Sequence, residues 1–448
     1  MSMGLGRFGD RRLEKGGAFM LERMLEAGRH GVRVRALGGD RAGEMRISRF
    51  LRNFSVTSEE MIETALARTC GLAAGRHVLA IQDTTSLRDD GKQSKHQLHA
   101  MIAVDADDGA LLGVVSACFL RHAEAESVHR HKRPFADKDS ARWLDATREA
   151  AKLAAAGAAG VTVVADRECD IYDEFALRPA QTDLLIRCRH DRVLADGTRL
   201  YACAEGLAEL GREVVHVPAA PGRTKRDAVV ALYAREVTLR RPGRNRAAEV
   251  AKLPAEITLT YVEAREISAP DGAAELHWRL LTTHNVAGLA DARRLIGYYR
   301  RRWAIEQVFR TMKTKGFNIE AVVLEQELAF ENLAAATLIA AVQVLQMVHE
   351  RDGAANWPLE HVFDPTDQPA LEAVCATLEG KTEKQKNPHP KRSLAYATWV
   401  CARLGGWTGY YGKPGPIVLL QGFLQFKAIR AGWELGQRRQ EEPRRQPP

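Results

Sequence analysis

Four residues that can bind a phosphate or a metal ion lie in one short segment of the chain. Residues 299–313 are Tyr-Arg-Arg-Arg-Trp-Ala-Ile-Glu-Gln-Val-Phe-Arg-Thr-Met-Lys, with Glu306 near the centre. In an α-helix, at about 100° per residue, Tyr299, Arg302 and Lys313 would share with this glutamate an arc of roughly 60°. A carboxylate flanked by a phenol, a guanidinium and an ammonium suits a metal ion beside a phosphate backbone. The alternative is a solvated helix face with surface ion pairs.

Two aspartates elsewhere in the chain complete a set of three carboxylates. Asp83 ends the apolar run 78–82, and Asp166 ends the apolar run 160–165. Both runs predict buried strands, and the C-terminal ends of strands are where α/β sheets place functional side chains. Asp is a common residue at strand ends, so one such aspartate alone has little meaning. With Glu306, the two aspartates can hold a pair of Mg²⁺ ions, which prefer oxygen ligands and promote phosphodiester chemistry at about 3.5–4 Å apart.

The motifs around these carboxylates resemble those of a known enzyme family. The first aspartate lies in Gln-Asp-Thr-Thr-Ser-Leu at 82–87, and the second lies in Asp-Arg-Glu-Cys-Asp-Ile-Tyr at 166–172. Segment 299–313 has the signature Tyr-x2-Arg-x3-Glu-x6-Lys, and further matches are segments 48–53, 278–282, 393–396 and 403–406. On these residues the chain resembles the insertion-sequence-four family of bacterial DDE transposases, the group that contains the Tn-five transposase. The resemblance extends from about Arg7 to about Trp433.

The resemblance implies a cut-and-paste DNA transposase. Asp83, Asp166 and Glu306 would be its catalytic residues and would bind two Mg²⁺ ions, with Mn²⁺ as a substitute. A nick at the end of the element would free a 3′-hydroxyl, which would attack the opposite strand and form a hairpin. The hairpin would then be reopened, and the freed end would join target DNA. The implied partners are double-stranded DNA (the terminal inverted repeats and the target) and a second copy of the chain in a homodimeric synaptic complex.

The resemblance also implies further DNA-binding residues. The Tyr, Arg and Lys of the signature would hold phosphates around a nucleotide flipped out of the duplex, with Arg forming paired bonds and Lys acting as a point charge. Trp278 would stack on that nucleotide, and Trp303 would lie beside it. Arg167 and Glu168 would contact neighbouring DNA or support the metal ligands. From composition alone, both tryptophans are instead structural bulk in or near the core.

Composition agrees with a soluble protein that binds a polyanion. The 448 residues are 45% hydrophobic, which is enough for two to four domains. A net charge of +8 and a pI near 9.1 favour a basic surface. The seven cysteines contain no CxxC pair, which argues against a zinc or disulfide framework and fits a reducing compartment. A signal-peptide pattern and an uninterrupted apolar run of about 18 residues are both missing, so we expect a cytoplasmic, nucleoid-associated bacterial protein with no membrane partner.

The order of predicted elements indicates an α/β fold with an interrupted catalytic core. Strand-strand-strand-helix-strand-helix is the order of an RNase H-like core, and it puts Asp83 and Asp166 on neighbouring strands. The interval from Asp166 to Glu306 is too long for a single crossover and contains strand-like runs. We therefore predict five regions: an N-terminal helical DNA-binding module at 1–70, the first part of the core at 71–190, a β-rich insertion at 191–280, the second part of the core at 281–350, and a C-terminal helical dimerisation module with a disordered tail at 351–448.

Two basic segments outside the carboxylate motifs are also candidates for function. Arg46, Arg49 and Arg52 have a spacing that puts three guanidiniums near one helix face, where they would contact phosphates or enter a major groove. The alternative is a surface helix with an excess of arginine. Histidines 122, 129 and 131 lie in a basic segment, for which a solvated loop beside the site is favoured over a metal cluster.

Two other functions are compatible with the same motifs. Family members usually carry some tens of residues before the Gly-Asp-x-Arg motif, which here is residues 9–12. One alternative is therefore a truncated, non-catalytic DNA-binding regulator or inhibitor of transposition. The other is a structure-specific nuclease on the same core. The helical modules at both ends argue against a nuclease, because a nuclease does not need to synapse two DNA ends.

Overall fold

A computed structural model of the protein describes residues 4–26, 31–88, 96–121, 139–217, 224–242, 252–270, 272–313, 316–410 and 412–441. The three histidines of the predicted basic loop and the end of the predicted C-terminal tail lie outside these residues. The strands are β1 (His77–Arg88), β2 (His96–Asp105), β3 (Leu111–Arg121), β4 (Gly160–Ala165), β5 (Asp183–Arg187), β6 (Gly211–Val217), β7 (Arg226–Arg240), β8 (Glu256–Glu266) and β9 (His277–Thr282).

These strands form a nine-stranded mixed sheet in the order β3-β2-β1-β4-β5-β9-β8-β7-β6. Strands β1 to β3 are antiparallel neighbours, while β4 and β5 run parallel to β1. The short runs of Val, Leu and Ala in β1, β4 and β5 are buried on both faces, as is typical of the central strands of an α/β sheet. This half of the sheet has the arrangement predicted for an RNase H-like core, so the predicted fold class is confirmed for the core.

The strands of the predicted β-rich insertion extend the same sheet. β9 pairs antiparallel with β5, with Ile186 opposite Leu281, and β8, β7 and β6 follow in antiparallel order. The strand-like runs at 228–233 and 236–239 are parts of the single long strand β7. Because β9 lies directly beside β5, the insertion brings its own residues to the edge of the core where β4 and β5 end.

Helices cover the core half of this sheet. They are α1 (Arg11–Glu26), α2 (Val34–Gly38), α3 (Arg41–Leu51), α4 (Ser58–Ala73), α5 (Ala141–Ala155), α6 (Tyr172–Leu177), α7 (Leu289–Arg301), α8 (Trp303–Met312), α9 (Glu327–Glu350), α10 (Gln368–Leu378), α11 (Leu394–Leu404) and α12 (Pro416–Glu441). Several begin at side-chain caps. For example, Asp40 accepts a hydrogen bond from the backbone N–H of Gly43 before α3, and Thr57 accepts one from Glu60 before α4.

Helix α9 is the packing centre of the helical layer. It contacts β3, α4 and α8, and also α1, α11 and α12 from the two ends of the chain. Within the described residues it alone is long and apolar enough to cross a membrane, with a mean hydropathy of 1.7, but 94% of that apolar window is buried inside the protein. Its apolar composition is therefore accounted for by burial in the core.

Candidate functional site

The sheet brings the two aspartates of the predicted site side by side. In the parallel pair β1 and β4, Ile81 lies opposite Val164, so two residues further along each chain Asp83 and Asp166 are neighbours. Asp166 directly follows β4, as predicted. The prediction that Asp83 ends its strand is wrong. β1 continues to residue 88 because it stays paired with β2 beyond the end of β4, and Asp83 lies opposite Ala100 in that ladder.

Glu306 reaches the aspartates from α8. The buried side chains of Ile305, Phe309 and Met312 hold this helix against the core, and α8 packs on β1. With its apolar stripe turned inward, the helix carries Glu306 on a partly exposed flank, where 28% of the side chain is accessible. The three predicted carboxylates thus come from the middle of one strand, the end of its neighbour and the first turn of a helix.

The single helix predicted over 299–313 is interrupted at Arg302 and ends at Met312. At Arg302 the hydrogen bonding tightens to the i−3 pattern, with bonds from Arg302 N to Tyr299 O (3.0 Å) and from Ile305 N to Arg302 O (3.3 Å). Arg302 keeps helical dihedral angles, so it still lies on the same side as Glu306. Lys313 is the C-cap of α8, and its N–H still donates to Phe309 O at 3.1 Å. Its ammonium lies 3.2 Å from the Glu320 carboxylate.

Arg302 links two of the three carboxylates. Its Nη1 lies 3.0 Å from Asp83 Oδ2, and its Nη2 lies 2.6 Å from Glu306 Oε1. The Tyr299 hydroxyl donates to Asp166 Oδ1 at 3.3 Å, and Arg187 Nη1 lies 3.7 Å from the same oxygen. Two guanidiniums therefore offset part of the negative charge of the three carboxylates, and the phenol adds a neutral hydrogen-bond donor.

The surroundings of the triad disfavour uncompensated negative charge. Burial raises the pKa of Asp83, against the lowering effect of the Thr84 N–H and of Arg302. Burial also raises the pKa of Glu306, and the charges of both aspartates add to that increase. Burial, with the Asp166 charge, raises the pKa of Tyr299 to about 12, so this phenol stays a hydrogen-bond donor at neutral pH. Such a site favours a bound cation, because each carboxylate is ionised more easily beside a positive charge.

The donor set suits a divalent cation of the Mg²⁺ type, since all three groups are carboxylates and therefore hard oxygen ligands. Over the part of the chain that the structure describes, no three His, Cys, Asp or Glu side chains are spaced to share one metal ion. Arg302 is the group that lies between Asp83 and Glu306. The residues thus fit a divalent ion in chemistry and in charge, and the side chains would need to close around it.

The predicted tryptophans lie at different depths. Trp278, on β9, is half-buried and meets the Tyr299 ring edge to face, with ring centroids 5.6 Å apart. It is brought to the triad because β9 pairs with β5 and Tyr299 contacts Asp166. Trp303 begins α8 and is 47% exposed, which is unusual for a residue of its size. Trp278 thus lies beside the triad through Tyr299, and Trp303 is exposed at the start of the helix that carries Glu306.

A basic cleft beside Asp166 was only partly predicted. It has a volume of about 390 Å³ and includes the predicted Arg167. Its other polar side chains are Arg187, Arg189, Arg279 and His277, with Tyr201 also in the wall. Arg279 lies over the Tyr201 ring, 4.2 Å from its centroid. Arg187 ends β5, next to the strand that ends at Asp166, so the rule that located Asp166 could also have located this arginine.

The N-terminal arginines lie away from this cleft, on α3 and just after it. Arg46, Arg49 and Arg52 are exposed, while the opposite face of α3 packs against α1 and α9. The Arg46 guanidinium lies 4.1 Å from the Phe19 ring centroid and donates to Lys15 O. Arg46 and Arg49 also line a groove of about 400 Å³. The predicted exposed basic face is present in the structure, but it is not part of the triad.

Comparison with known protein families agrees with this geometry. A model of the transposase DDE domain matches residues 74–343, which is more than half of the 448 residues. The matched region begins just before β1 and ends within α9, so it contains Asp83, Asp166, Glu306 and the strands of the insertion. The chain therefore belongs to the transposase DDE domain family, whose members act on DNA and generally use divalent metal ions.

Proposed function

We propose that this protein is a cut-and-paste DNA transposase of the insertion-sequence-four kind, with Asp83, Asp166 and Glu306 as its catalytic residues. The observation that carries the proposal is the convergence of three carboxylates on Arg302 and Tyr299 within the matched region. The subgroup is supported by the signature Tyr-x2-Arg-x3-Glu-x6-Lys, whose spacer lengths are all present.

Each side chain of the site would have a different role in the cleavage of a phosphodiester. Two divalent ions, Mg²⁺ or Mn²⁺, would supply Lewis acidity for attack on phosphorus and for departure of the 3′ oxygen when the carboxylates hold them. Arg302 offers a planar guanidinium that matches two phosphate oxygens as well as two carboxylates. Tyr299 holds Asp166 in place through its hydroxyl. The half-buried ring of Trp278 can stack on an extruded base during hairpin formation.

The basic surfaces provide a path for duplex DNA. The arginines of the cleft beside Asp166 would contact the phosphates next to the cut, and the exposed arginines of α3 would contact the end of the element further away. Transposition requires two ends to be held together, so we expect a homodimer on DNA. The setting we propose is the bacterial cytoplasm, on the nucleoid.

The decisive experiment replaces each carboxylate by its neutral isostere. Asp83→Asn, Asp166→Asn and Glu306→Gln should each slow Mg²⁺-dependent nicking of DNA that carries the inverted repeats of the element by at least about a hundredfold. Binding to the same DNA should persist in a gel-shift assay, because the carboxylates act in the chemical step. Asp145→Asn is the matched control, since Asp145 is an exposed aspartate that pairs with Arg148 on α5. Near wild-type nicking by any of the three variants would refute the assignment.

A further inference from the structure

Arg142 contacts residues next to both catalytic aspartates. It lies in the first turn of α5, and only 12% of its side chain is exposed. Its Nε donates to Thr84 Oγ1 (3.3 Å), its Nη1 to Asp139 O (2.5 Å) and its Nη2 to Glu168 Oε2 (3.0 Å). Thr84 follows Asp83 in β1, and Glu168 is two residues beyond Asp166. One guanidinium thus joins the two segments that carry the aspartates.

The Thr84 hydroxyl is held from the other side by a buried histidine. Burial, with the charge of Arg142, lowers the pKa of His99 to about 3, so its ring is neutral. His99 Nε2 lies 3.1 Å from Gln82 Oε1, an acceptor, so Nε2 carries the hydrogen and Nδ1 must accept. The Thr84 hydroxyl therefore donates to His99 Nδ1 (3.0 Å) and accepts from Arg142. The backbone N–H of Thr84 donates to Asp83 Oδ1 at 2.8 Å, so fixing Thr84 also fixes that carboxylate.

Glu168 is a fourth carboxylate at the edge of the triad. Its side chain is 62% exposed, and its charge acts on Asp83 in the same direction as that of Asp166. Bound to Arg142, it is neutralised and directed toward α5. Released, it would add a negative charge where a phosphate backbone must approach, and an oxygen ligand close to those that hold the metal ions.

We propose that Arg142 is a positioning residue of the active site, which fixes Thr84 beside Asp83 and keeps Glu168 out of the set of carboxylates that binds metal. The proposal rests on the proposed function, because it concerns the same three carboxylates. It separates into two effects that can be measured independently. Loss of the Thr84 contact loosens Asp83, and loss of the Glu168 contact adds an unwanted ligand and charge. Only the second effect can be reversed by removing the charge of Glu168.

A double-mutant cycle on the full-length chain tests both effects. Arg142→Gln should lower the rate of DNA nicking by about tenfold or more, and Glu168→Gln in the same chain should restore a large part of that rate. In Mn²⁺ titrations without DNA, Glu168→Gln should leave the Kd of the otherwise wild-type chain within about twofold. In the Arg142→Gln background, Glu168→Gln should weaken Mn²⁺ binding by about fivefold or more. Arg148→Gln, which removes one exposed positive charge from the same helix, is the control and should change neither quantity.

Several outcomes would overturn the proposal. It fails if Arg142→Gln behaves like Arg148→Gln in both assays, or if Glu168→Gln has the same effect with and without Arg142. A loss of nicking that Glu168→Gln cannot reverse would also overturn it, because it would show that Arg142 does not act by restraining Glu168. If Arg142→Gln does not fold, Arg142→Lys retains the charge and should keep the wild-type Mn²⁺ response to Glu168→Gln. If Asp83→Asn abolishes Mn²⁺ binding while the double-mutant cycle shows no coupling between Arg142 and Glu168, only the proposal for Arg142 is refuted and the metal-binding role of Asp83 stands. If the wild-type chain binds no Mn²⁺, the metal-dependent function fails with it.

Discussion

Glu174 should make the stability of this protein depend on pH. Its side chain is fully buried in α6, and its Oε1 accepts a hydrogen bond from the Thr147 hydroxyl. Within the described part of the chain, its Oε2 has no hydrogen-bond partner. Burial raises the pKa of Glu174 to about 7, against the lowering effects of the Thr147 hydroxyl and the Arg148 charge. Gln82, which precedes Asp83, donates to the same Thr147 hydroxyl, so the buried acid is linked through Thr147 to the strand that carries Asp83.

The sign of the effect follows from the direction of the shift. A carboxyl whose pKa is raised on folding binds its proton more tightly in the folded state. Its contribution to stability is therefore complete below the unfolded pKa of 4.5 and is lost as the pH rises through about 7. Between pH 5 and pH 8 these two values imply a loss of about 2.5 kcal/mol of unfolding free energy. Glu174→Gln is neutral at every pH and of the same size, so it should remove this part of the pH dependence.

Urea unfolding at pH 5 and at pH 8, followed by tryptophan fluorescence, measures this difference. Other groups also titrate over this range, so the informative quantity is the pH dependence of the wild type minus that of Glu174→Gln. Glu149→Gln is the control, because Glu149 is paired with Lys152 on the surface of α5. Wild-type and Glu174→Gln proteins with the same change in unfolding free energy between the two pH values would refute the reasoning.

Two further predictions concern DNA. Replacing Arg46, Arg49 and Arg52 together by Gln should weaken binding to the element end and reduce the slope of log affinity against log salt by about 2.7, because each phosphate contact releases counterions. An unchanged slope in a gel-shift titration would move recognition elsewhere, for example to the β insertion. Trp278→Ala should spare the first nick but impair hairpin formation, since stacking on an extruded base is worth about 1–3 kcal/mol and is needed only after that nick. A denaturing gel separates nicked from hairpinned DNA, and a wild-type protein that breaks both strands with no hairpin would exclude this chemistry.

The sequence predicted the triad because its members follow simple local rules. Asp166 follows a short buried strand, and Glu306 lies beside an apolar stripe of helical spacing. Both features depend only on neighbours in the chain. The position of Asp83 within β1 was not predictable in the same way. The strand continues past it because β2 supplies pairing partners as far as residue 96, and that ladder is a tertiary feature.

The end of α8 shows a second limit of local rules. Periodicity places Lys313 on the Glu306 face, but it does not predict that the chain then turns back over the last turn of the helix. Phe317 N donates to Thr311 O at 2.8 Å, and a Cβ on Gly316 would lie 2.2 Å from that same oxygen. Only glycine allows so close an approach, so Gly316 permits the turn. The spacing of the signature thus applies as far as Lys313, while the turn that follows, and the contact of Lys313 with Glu320 beyond it, are not predictable from periodicity.

Helix α9 connects the N-terminal helices to the catalytic sheet through specific contacts. The fully buried Asn332 donates from Nδ2 to Leu51 O (3.0 Å) and to Val56 O (2.8 Å), at the end of α3 and in the loop that follows it. Further along α9, Gln346 donates to Leu112 O in β3. The side chains of one helix therefore satisfy backbone carbonyls on both sides of it. Without the N-terminal helices, the Asn332 amide would lose both of these acceptors. It would then be either buried without a partner or newly exposed to water, and the loss of the two hydrogen bonds would lower the stability of the protein. The helical region before β1 is thus part of the core that supports the triad, in addition to carrying the exposed arginines.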